Sequence, residues 1–380
     1  MRSRKNGEGI RLIFLHAKVG QGHTQAAKSL AKEAIKEDSV SEALVIDCLD
    51  IANQTVSKIT KTMYIGTIKY LPGLWVSLYK GKSPIMKASH FIARSLMRWA
   101  LYRYLSRIIR LHRPHAIVCT HFFPIPPLAH LKYRYSPFKL YVVVTDGDLH
   151  PLWTYNGVDA YFVADERAIS RFSEKNLKAR IFPIGIPIDS LFNRPPKENV
   201  KVELGFSDRF TVMIVGGGEG IGPIGEIARA VDSSISNINI ITLCGRNEKL
   251  RKKLTDINFK NQVYIFNYVE NIIDLYDASN CIVGKPGGIT TSEVFARGKP
   301  FVAYLAYGGQ EEGNIKRFVG RDGFFIAKNK EEILRIINEI KGKDDNSQLI
   351  KNEISNSDRK ATVKIIEAII SDIIGDYGLL

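Results

Sequence analysis

Gly284-Lys285-Pro286-Gly287-Gly288-Ile289-Thr290-Thr291-Ser292-Glu293 leaves an apolar run (Cys281, Ile282, Val283) and enters a helical pattern (Val294, Phe295, Ala296). This spells strand, glycine turn and helix start. Two glycines let backbone approach backbone or ligand, the first helical turn offers N–H groups, and the helix dipole favours negative charge there. A phosphate fits such a place. So does a plain strand-to-helix turn with Thr291 or Ser292 as its N-cap.

The same unit occurs elsewhere in the chain. Ile10–His16 is an apolar strand run, and Val19-Gly20-Gln21-Gly22-His23-Thr24 turns from it into a helix carrying Ala26, Ala27, Leu30, Ala31 and Ala34. Further strands are expected at Ala43–Asp47, Ala116–Thr120, Leu140–Thr145, Ala160–Val163 and Ile181–Ile184, separated by helical spans. After a polar, proline-bearing stretch (Asn193 to Asn199) the pattern restarts at Phe210–Val215, followed by Gly216-Gly217-Gly218-Glu219-Gly220-Ile221-Gly222, a loop with five glycines, and a helix opening at Pro223-Ile224. So many glycines suit backbone pressed against a pyrophosphate. Strands follow at Ile238–Cys244, Val263–Phe266, Cys281–Val283 and Phe301–Tyr304, and Asp358 to Asp372 has helical spacing. Such alternation predicts an α/β fold with parallel sheets and ligands at the carboxyl ends of their strands. The expected arrangement is two Rossmann-like domains facing across a cleft: 1–192, 200–357, and a C-terminal helical segment at 358–380 that packs on this body.

At 380 residues, with 45% hydrophobic and 24% charged residues, the chain can bury two ordinary cores. No apolar run reaches the roughly 18 residues of a membrane span, and the N-terminus reads as basic without a signal peptide. Cys48, Cys119, Cys244 and Cys281 lack a pairing or metal-binding motif and are expected as reduced core thiols.

The charge is uneven. Ile51 to Thr145 contains no Asp or Glu but fifteen of the 54 basic residues, leaving 39 basic against 39 acidic elsewhere; this one segment holds the net charge of +15. Aromatic residues (Tyr64, Tyr70, Trp75, Tyr79, Phe91, Trp99, Tyr102, Tyr104) are interleaved with those cations. Rings at head-group depth beside basic side chains suit an anionic lipid surface, favoured here over nucleic acid and over a merely solvated face. Leu101, Leu105, Ile108 and Ile109 share one helical face and Arg103, Arg107 and Arg110 the other, with Phe91 to Trp99 out of phase. A helix is expected there, but not one continuous membrane-lying stripe.

A general base is sought among titratable groups at strand ends and helix starts. His23, at a glycine loop opening a helix, and Asp146, at the end of an apolar strand, are both candidates; a histidine at that loop could equally be a structural cap or a phosphate contact. Asp146-Gly147-Asp148 also spells a DxD, but it lies in the half opposite the five-glycine loop and the Gly284–Glu293 stretch, and no metal is expected.

Six strings, in order, resemble those of monogalactosyldiacylglycerol synthases and bacterial diacylglycerol glucosyltransferases: GQGH at Gly20–His23, VVTDGDLHPLW at Val143–Trp153, GGGEGIGPI at Gly216–Ile224, CGRN at Cys244–Asn247, KPGGITTSE at Lys285–Glu293 and GGQEEGN at Gly308–Asn314. The likeness runs from about Arg11 to Lys330. It implies a GT28-type, MurG-related GT-B enzyme, inverting and without metal or other cofactor. GGGEGIGPI and CGRN are closest to the plant-type galactosyl enzymes and KPGGIT to the bacterial glucosyl ones, so glucose and galactose both stay open.

The resemblance further implies a UDP-hexose on the second half. Gly217, Gly218, Glu219, Gly220, Pro286, Gly287, Gly288, Ile289, Thr290 and Thr291 would surround the diphosphate, and Gly245, Arg246, Asn247, Tyr268 and Val269 the base. Glu293 would take the ribose, and Gln310, Glu311 and Asn314 the hexose. On the first half Gly22, His23 or Asp146, His121, His150 and Trp153 would receive diacylglycerol at its 3-hydroxyl. Trp75, Tyr79, Arg94, Arg98 and Trp99 would meet anionic membrane lipid, making a peripheral protein on the cytoplasmic face of a bacterial membrane, with no nucleic-acid partner. A MurG-like transferase acting on a polyprenyl-linked sugar, and a non-enzymatic basic lipid- or nucleic-acid-binding protein, are the alternatives.

Overall fold

The computed structural model describes residues 9–18, 20–50, 84–134, 138–147, 149, 151–173, 178–304, 310–343 and 359–377. They form two compact units, Met1–Ser190 with Lys360–Leu380, and Leu191–Arg359. Trp75, Tyr79, Asp148 and His150 lie outside the described residues, as does the side chain of Gln310.

The first unit is built from strands β1 (Ile10–His16), β2 (Val40–Asp47), β3 (Ala116–Cys119), β4 (Lys139–Val143), β5 (Ala160–Val163) and β6 (Arg180–Pro183), with helices α1 (Gln21–Ala34), α2 (Pro84–His112), α3 (Ile125–Arg134) and α4 (Arg167–Ser173). Its strands lie parallel in the order β2-β1-β3-β4-β5-β6. Ile13 and Leu15 of β1 enter one core with Leu101, Leu105 and Ile109 of α2 and Leu128 and Leu131 of α3. Ile10, Leu12 and Phe14 enter the opposite core with Ala27 and Leu30 of α1. Because both faces are covered, the strand reads as an unbroken apolar run and the period of two shows only in the packing. Each such fully buried Leu or Ile contributes about 1.5–3 kcal/mol.

That second core is completed by the C-terminal helix, Ala361–Tyr377, through Ile365, Ile366, Ile369, Ile370 and Ile373. It starts later and runs longer than the expected 358–372, and it joins the first unit although it follows the second in sequence. Asp372 fixes it, accepting from the Tyr141 hydroxyl at 2.5 Å and pairing with Arg180 at 2.5 Å.

The second unit contains α5 (Val200–Glu203), β7 (Phe210–Val215), α6 (Ile224–Ser234), β8 (Ile238–Leu243), α7 (Glu248–Thr255), β9 (Gln262–Phe266), α8 (Ile273–Ala278), β10 (Cys281–Gly284), α9 (Gly288–Ala296), β11 (Phe301–Tyr304), α10 (Gln310–Phe318), β12 (Phe324–Ala327) and α11 (Lys330–Lys341); the C-terminal helix is then α12. The parallel order is β12-β11-β10-β7-β8-β9. In this order the chain leaves β7 in one direction for β8 and β9, then returns to its other side for β10, β11 and β12. The carboxyl ends of β7 and β10 therefore flank the switch point where open α/β sheets bind ligands. In the first unit the corresponding gap lies between β1 and β3.

The stretch around Asn193 to Asn199 is fastened to this second unit. The buried Arg297 donates to the carbonyls of Phe192 at 3.3 Å and Arg194 at 2.6 Å and pairs with the buried Asp277, while Arg194 pairs with Asp274.

Candidate active site

At the switch point of the first unit, Leu15 of β1 and Cys119 of β3 are register partners, so the residues that follow them emerge side by side. Gly20 ends the loop after β1 in extended backbone, and α1 begins without a side-chain cap, with Gly22 half-buried in its first turn. This puts His23 against the end of β3. Its Nδ1 lies 2.8 Å from the carbonyl oxygen of Thr120 and 2.8 Å from the hydroxyl of Thr145, and the Thr120 hydroxyl donates back to the His23 carbonyl at 2.8 Å. A carbonyl oxygen only accepts, so Nδ1 carries the proton and Nε2 keeps the lone pair of a base. Burial lowers the pKa of His23 below the ordinary histidine value, against the Asp146 charge and the Thr120 hydrogen bond, which raise it. The imidazole is thus a neutral acceptor at neutral pH.

Its surroundings are aromatic. The His121 ring stands edge-on to it at 4.5 Å, with Trp153 at 6.2 Å, and His121 is itself packed by Phe122 and Phe123 at 4.3 and 4.4 Å. His121 accepts at Nδ1 from the Phe123 N–H at 3.2 Å, which leaves its proton on Nε2. His23, Asp146, His121 and Trp153 are brought together; Asp146 is 7% exposed and acts on His23 through its charge. Thr120 and Thr145, which hold the ring, were missed in the sequence, although Thr145 is the neighbour of Asp146.

The membrane-facing set divides. Arg94 points inward, donating to the carbonyls of Pro151 at 2.8 Å and Thr154 at 2.9 Å with its guanidinium 5.4 Å from the Tyr155 ring centre. It ties α2 to the loop after β4, so its expected place at a lipid surface is corrected to an internal clamp. Arg98 is exposed, and Phe91, Leu96 and Trp99 are 72%, 61% and 76% exposed on the same helix. Further along α2, Leu101, Leu105 and Ile109 are buried while Arg103, Arg107 and Arg110 face solvent. Among the described residues no helix is long and apolar enough to cross a membrane.

In the second unit Val215 and Gly284 are register partners, so the glycine loop and the Lys285 turn leave adjacent strands side by side. Helix α9 starts at Gly288 with Gly287 as N-cap and no side-chain cap, and its first 5→1 bond runs from the Thr291 N–H to the Gly287 carbonyl at 2.9 Å. The helix therefore begins before Thr291 or Ser292 could cap it. Both are sealed in the interior and Thr290 is the accessible hydroxyl. Ser292 instead accepts from Arg317 of α10 at 3.1 Å, locking α10 to α9.

The glycine loop has two kinds of position. At Gly220, with φ +60°, a Cβ would stand 1.9 Å from the Cys244 carbonyl oxygen; at Gly245, with φ +55°, it would stand 2.5 Å from the Gly218 oxygen. Those two glycines are buried and exist for contact between the loops after β7 and β8. Asn247 belongs with them, accepting from the Leu250 N–H at 3.0 Å as the cap of α7 and donating to the Gly220 carbonyl at 3.2 Å. Gly217, Gly218 and Glu219 remain accessible.

Around this edge Arg246 lies 5.2 Å over the Tyr268 ring and 3.9 Å from Glu219, beside half-buried Val269. Glu293 accepts from the buried Tyr276 hydroxyl at 3.1 Å; burial and that carboxylate raise the phenol's pKa, so it stays a donor. Glu311, in the first turn of α10, is 3.9 Å from the Lys285 ammonium. Asn314 one turn on is 2% exposed, and Pro286, Gly288 and Ile289 are buried. Lys285 and Tyr276 were overlooked in the sequence reading, the first although it stands inside the KPGG string. Among the described residues no group of three or more His, Cys, Asp or Glu side chains is arranged to hold a metal ion.

Residues 23–188 match the family model for monogalactosyldiacylglycerol (MGDG) synthase, and residues 227–356 that for glycosyl transferases group 1. The processive diacylglycerol beta-glucosyltransferase of Bacillus cereus strain B4264 is 28% identical over 330 residues, covering 85% of this chain and 83% of that protein. The protein of the same name from Bacillus mycoides strain KBAB4 is 28% identical over 331 residues, with the same two coverages. Among solved structures, Acinetobacter baumannii MurG superposes with a TM-score of 0.57 at 13% identity, over 95% of this chain and 99% of that one. Phytolacca americana UGT2, solved with UDP-2fluoro-glucose and pterostilbene, gives 0.58 at 12% identity over 96% and 99%. With two parallel six-stranded sheets of this order and these relatives along its length, the chain is a hexose-transferring GT-B glycosyltransferase related to the monogalactosyldiacylglycerol synthases and the bacterial diacylglycerol glucosyltransferases.

Proposed function

We propose that the enzyme moves a hexose from UDP-glucose or UDP-galactose to the 3-hydroxyl of diacylglycerol, with inversion at the anomeric carbon and without a metal, at the surface of an anionic membrane. The observation that carries this reading is the likeness to proteins named for diacylglycerol glucosyl transfer, which at 330 residues must include both units. In the reaction the acceptor oxygen attacks C1 of the sugar, the bond from C1 to the β-phosphate oxygen breaks, and UDP departs. His23 Nε2 takes the hydroxyl proton, its lone pair kept available by the proton on Nδ1. Asp146 supports the imidazolium formed, through the charge that already raises the His23 pKa. His121 and Trp153 shape the apolar wall for the acceptor.

On the donor side Arg246 and Tyr268 offer a face for the base, and Glu293, oriented by Tyr276, accepts from ribose hydroxyls. The start of α9 and Thr290 meet the diphosphate, where fixed N–H groups stabilise the charge that develops on the leaving group. Glu311 and Asn314 serve the hexose. The exposed Phe91, Leu96, Trp99 and Arg98 on α2 support membrane contact.

The test is incubation of the protein with UDP-glucose or UDP-galactose and vesicles of diacylglycerol with an anionic lipid, followed by identification of the glycolipid. Monohexosyldiacylglycerol with inverted linkage is the expected product, in the presence of a chelator as well. Transfer only to a polyprenyl-linked sugar would replace diacylglycerol as the acceptor.

A further inference from the structure

Lys285 is a cation beside the accessible part of the glycine loop. A Cβ built on Gly217, whose φ is +71°, would lie 3.3 Å from Lys285 Cε and 4.0 Å from its Nζ, so the lysine stem runs directly over that glycine. The same ammonium lies 3.9 Å from Glu311 Oε1, with side-chain exposures of 30% and 15%. The register of β7 with β10 fixes this arrangement, because Lys285 follows Gly284 just where Gly216 follows Val215. Lys285 therefore touches both regions to which the proposed function gives opposite chemistry: a loop for the diphosphate, and a carboxylate for the hexose.

We infer that Lys285 is an exchangeable counter-ion. In the free enzyme it neutralises Glu311; when a nucleoside diphosphate occupies the switch point, the ammonium turns to the phosphate oxygens and frees Glu311 to accept from hexose hydroxyls. The inference rests on the proposed function, because it needs a nucleoside diphosphate sugar as donor. The energetics permit the exchange. A partly exposed pair near 4 Å is worth about 0–1 kcal/mol, whereas an ammonium on a diphosphate makes charge-assisted hydrogen bonds that are roughly twice as strong as neutral ones. Gly217 leaves the stem room to pivot, which a side chain there would remove. The pair thus links occupancy of the diphosphate site to readiness of the sugar site, and it supplies positive charge beside the departing UDP without a metal.

The experiment is calorimetric titration of the full-length protein and its variants with UDP and with uridine. Lys285→Met is expected to weaken UDP binding by about ten- to a hundredfold and to leave uridine within about twofold, with Lys285→Arg recovering part of the loss. Glu311→Gln has the opposite sign, tightening UDP by about two- to fivefold because the competing carboxylate is gone. In the Lys285→Met background Glu311→Gln has no such effect. UDP binding by Lys285→Met equal to that of the parent, or weakened UDP binding in Glu311→Gln, overturns the inference and leaves the proposed function intact. A parent protein that binds no UDP overturns the proposed function instead. Glu311→Gln keeps Lys285 in place, so it decides the matter even if Lys285→Met does not fold.

Discussion

His23 Nδ1 and the carbonyl oxygen of Thr120 are 2.8 Å apart, and this contact decides which ring nitrogen can act as a base. The partner is main chain, so no substitution of Thr120 removes it. Burial lowers the His23 pKa from its ordinary value of 6.5. The acid limb of kcat/KM is therefore expected below pH 6.5, and His23→Ala should lower kcat by about 10²- to 10⁴-fold. The sign for stability follows from the same direction. Between the depressed folded value and 6.5 the unfolded chain binds more protons, so stability rises with pH through that window and is lost as pH falls through it. A limb above 6.5, or full activity in His23→Ala, removes His23 as the base.

Asp146 is the competing base, and its charge gives a means of separating the two. It raises the His23 pKa, so Asp146→Asn should move the acid limb of kcat/KM to lower pH while reducing kcat by about tenfold. Were Asp146 itself the proton acceptor, the amide would abolish turnover at every pH and no shifted limb would be seen. A pH profile of the single variant distinguishes them.

Much of this was legible from the sequence, for physical reasons. Parallel strands covered on both faces are continuous apolar runs, so β1 and β7 stand out, and glycine punctuation marks the loops that follow them. β12, Phe324–Ala327, was not among the expected strands. α2 was legible as a helix but not as one 29-residue helix, since its apolar face changes phase near Trp99. The hold on His23 was hidden for another reason: Thr120 lies 97 residues away and acts through its backbone. A string of glycines likewise cannot tell a ligand from a neighbouring loop, and Gly220 and Gly245 are pressed against one.

The two arginines of α2 should part company. Arg94→Ala removes the guanidinium's hydrogen bonds to the carbonyls of Pro151 and Thr154 and its contact with Tyr155, so a loss of about 1–3 kcal/mol in unfolding free energy is expected. Arg98→Ala and Trp99→Ala, both exposed, should stay within about 0.5 kcal/mol. Their effect should appear in flotation with anionic vesicles, which the double variant should weaken and added salt should weaken further in the parent. Vesicle binding unchanged in the double variant would move the membrane surface elsewhere.

The glycine loop offers a stability test with an internal control. Gly220 and Gly205 share the left-handed conformation, at φ +60° and +69°, so alanine at either position costs about 1–2 kcal/mol for backbone alone. Only at Gly220 does the new Cβ strike main chain, 1.9 Å from the Cys244 oxygen; at Gly205 nothing lies within 4 Å. The collision forces apart the loops after β7 and β8 and strips Asn247 of its bond to the Gly220 carbonyl. Gly220→Ala should therefore cost more than about 3 kcal/mol in urea unfolding, well above Gly205→Ala. Asn247→Ala, which keeps the backbone but loses the cap of α7, should fall between, near 1–2 kcal/mol. Equal losses for the two glycine variants would mean that these loops are not packed on each other, and the accessible edge formed by Gly217, Gly218 and Lys285 would lose its support.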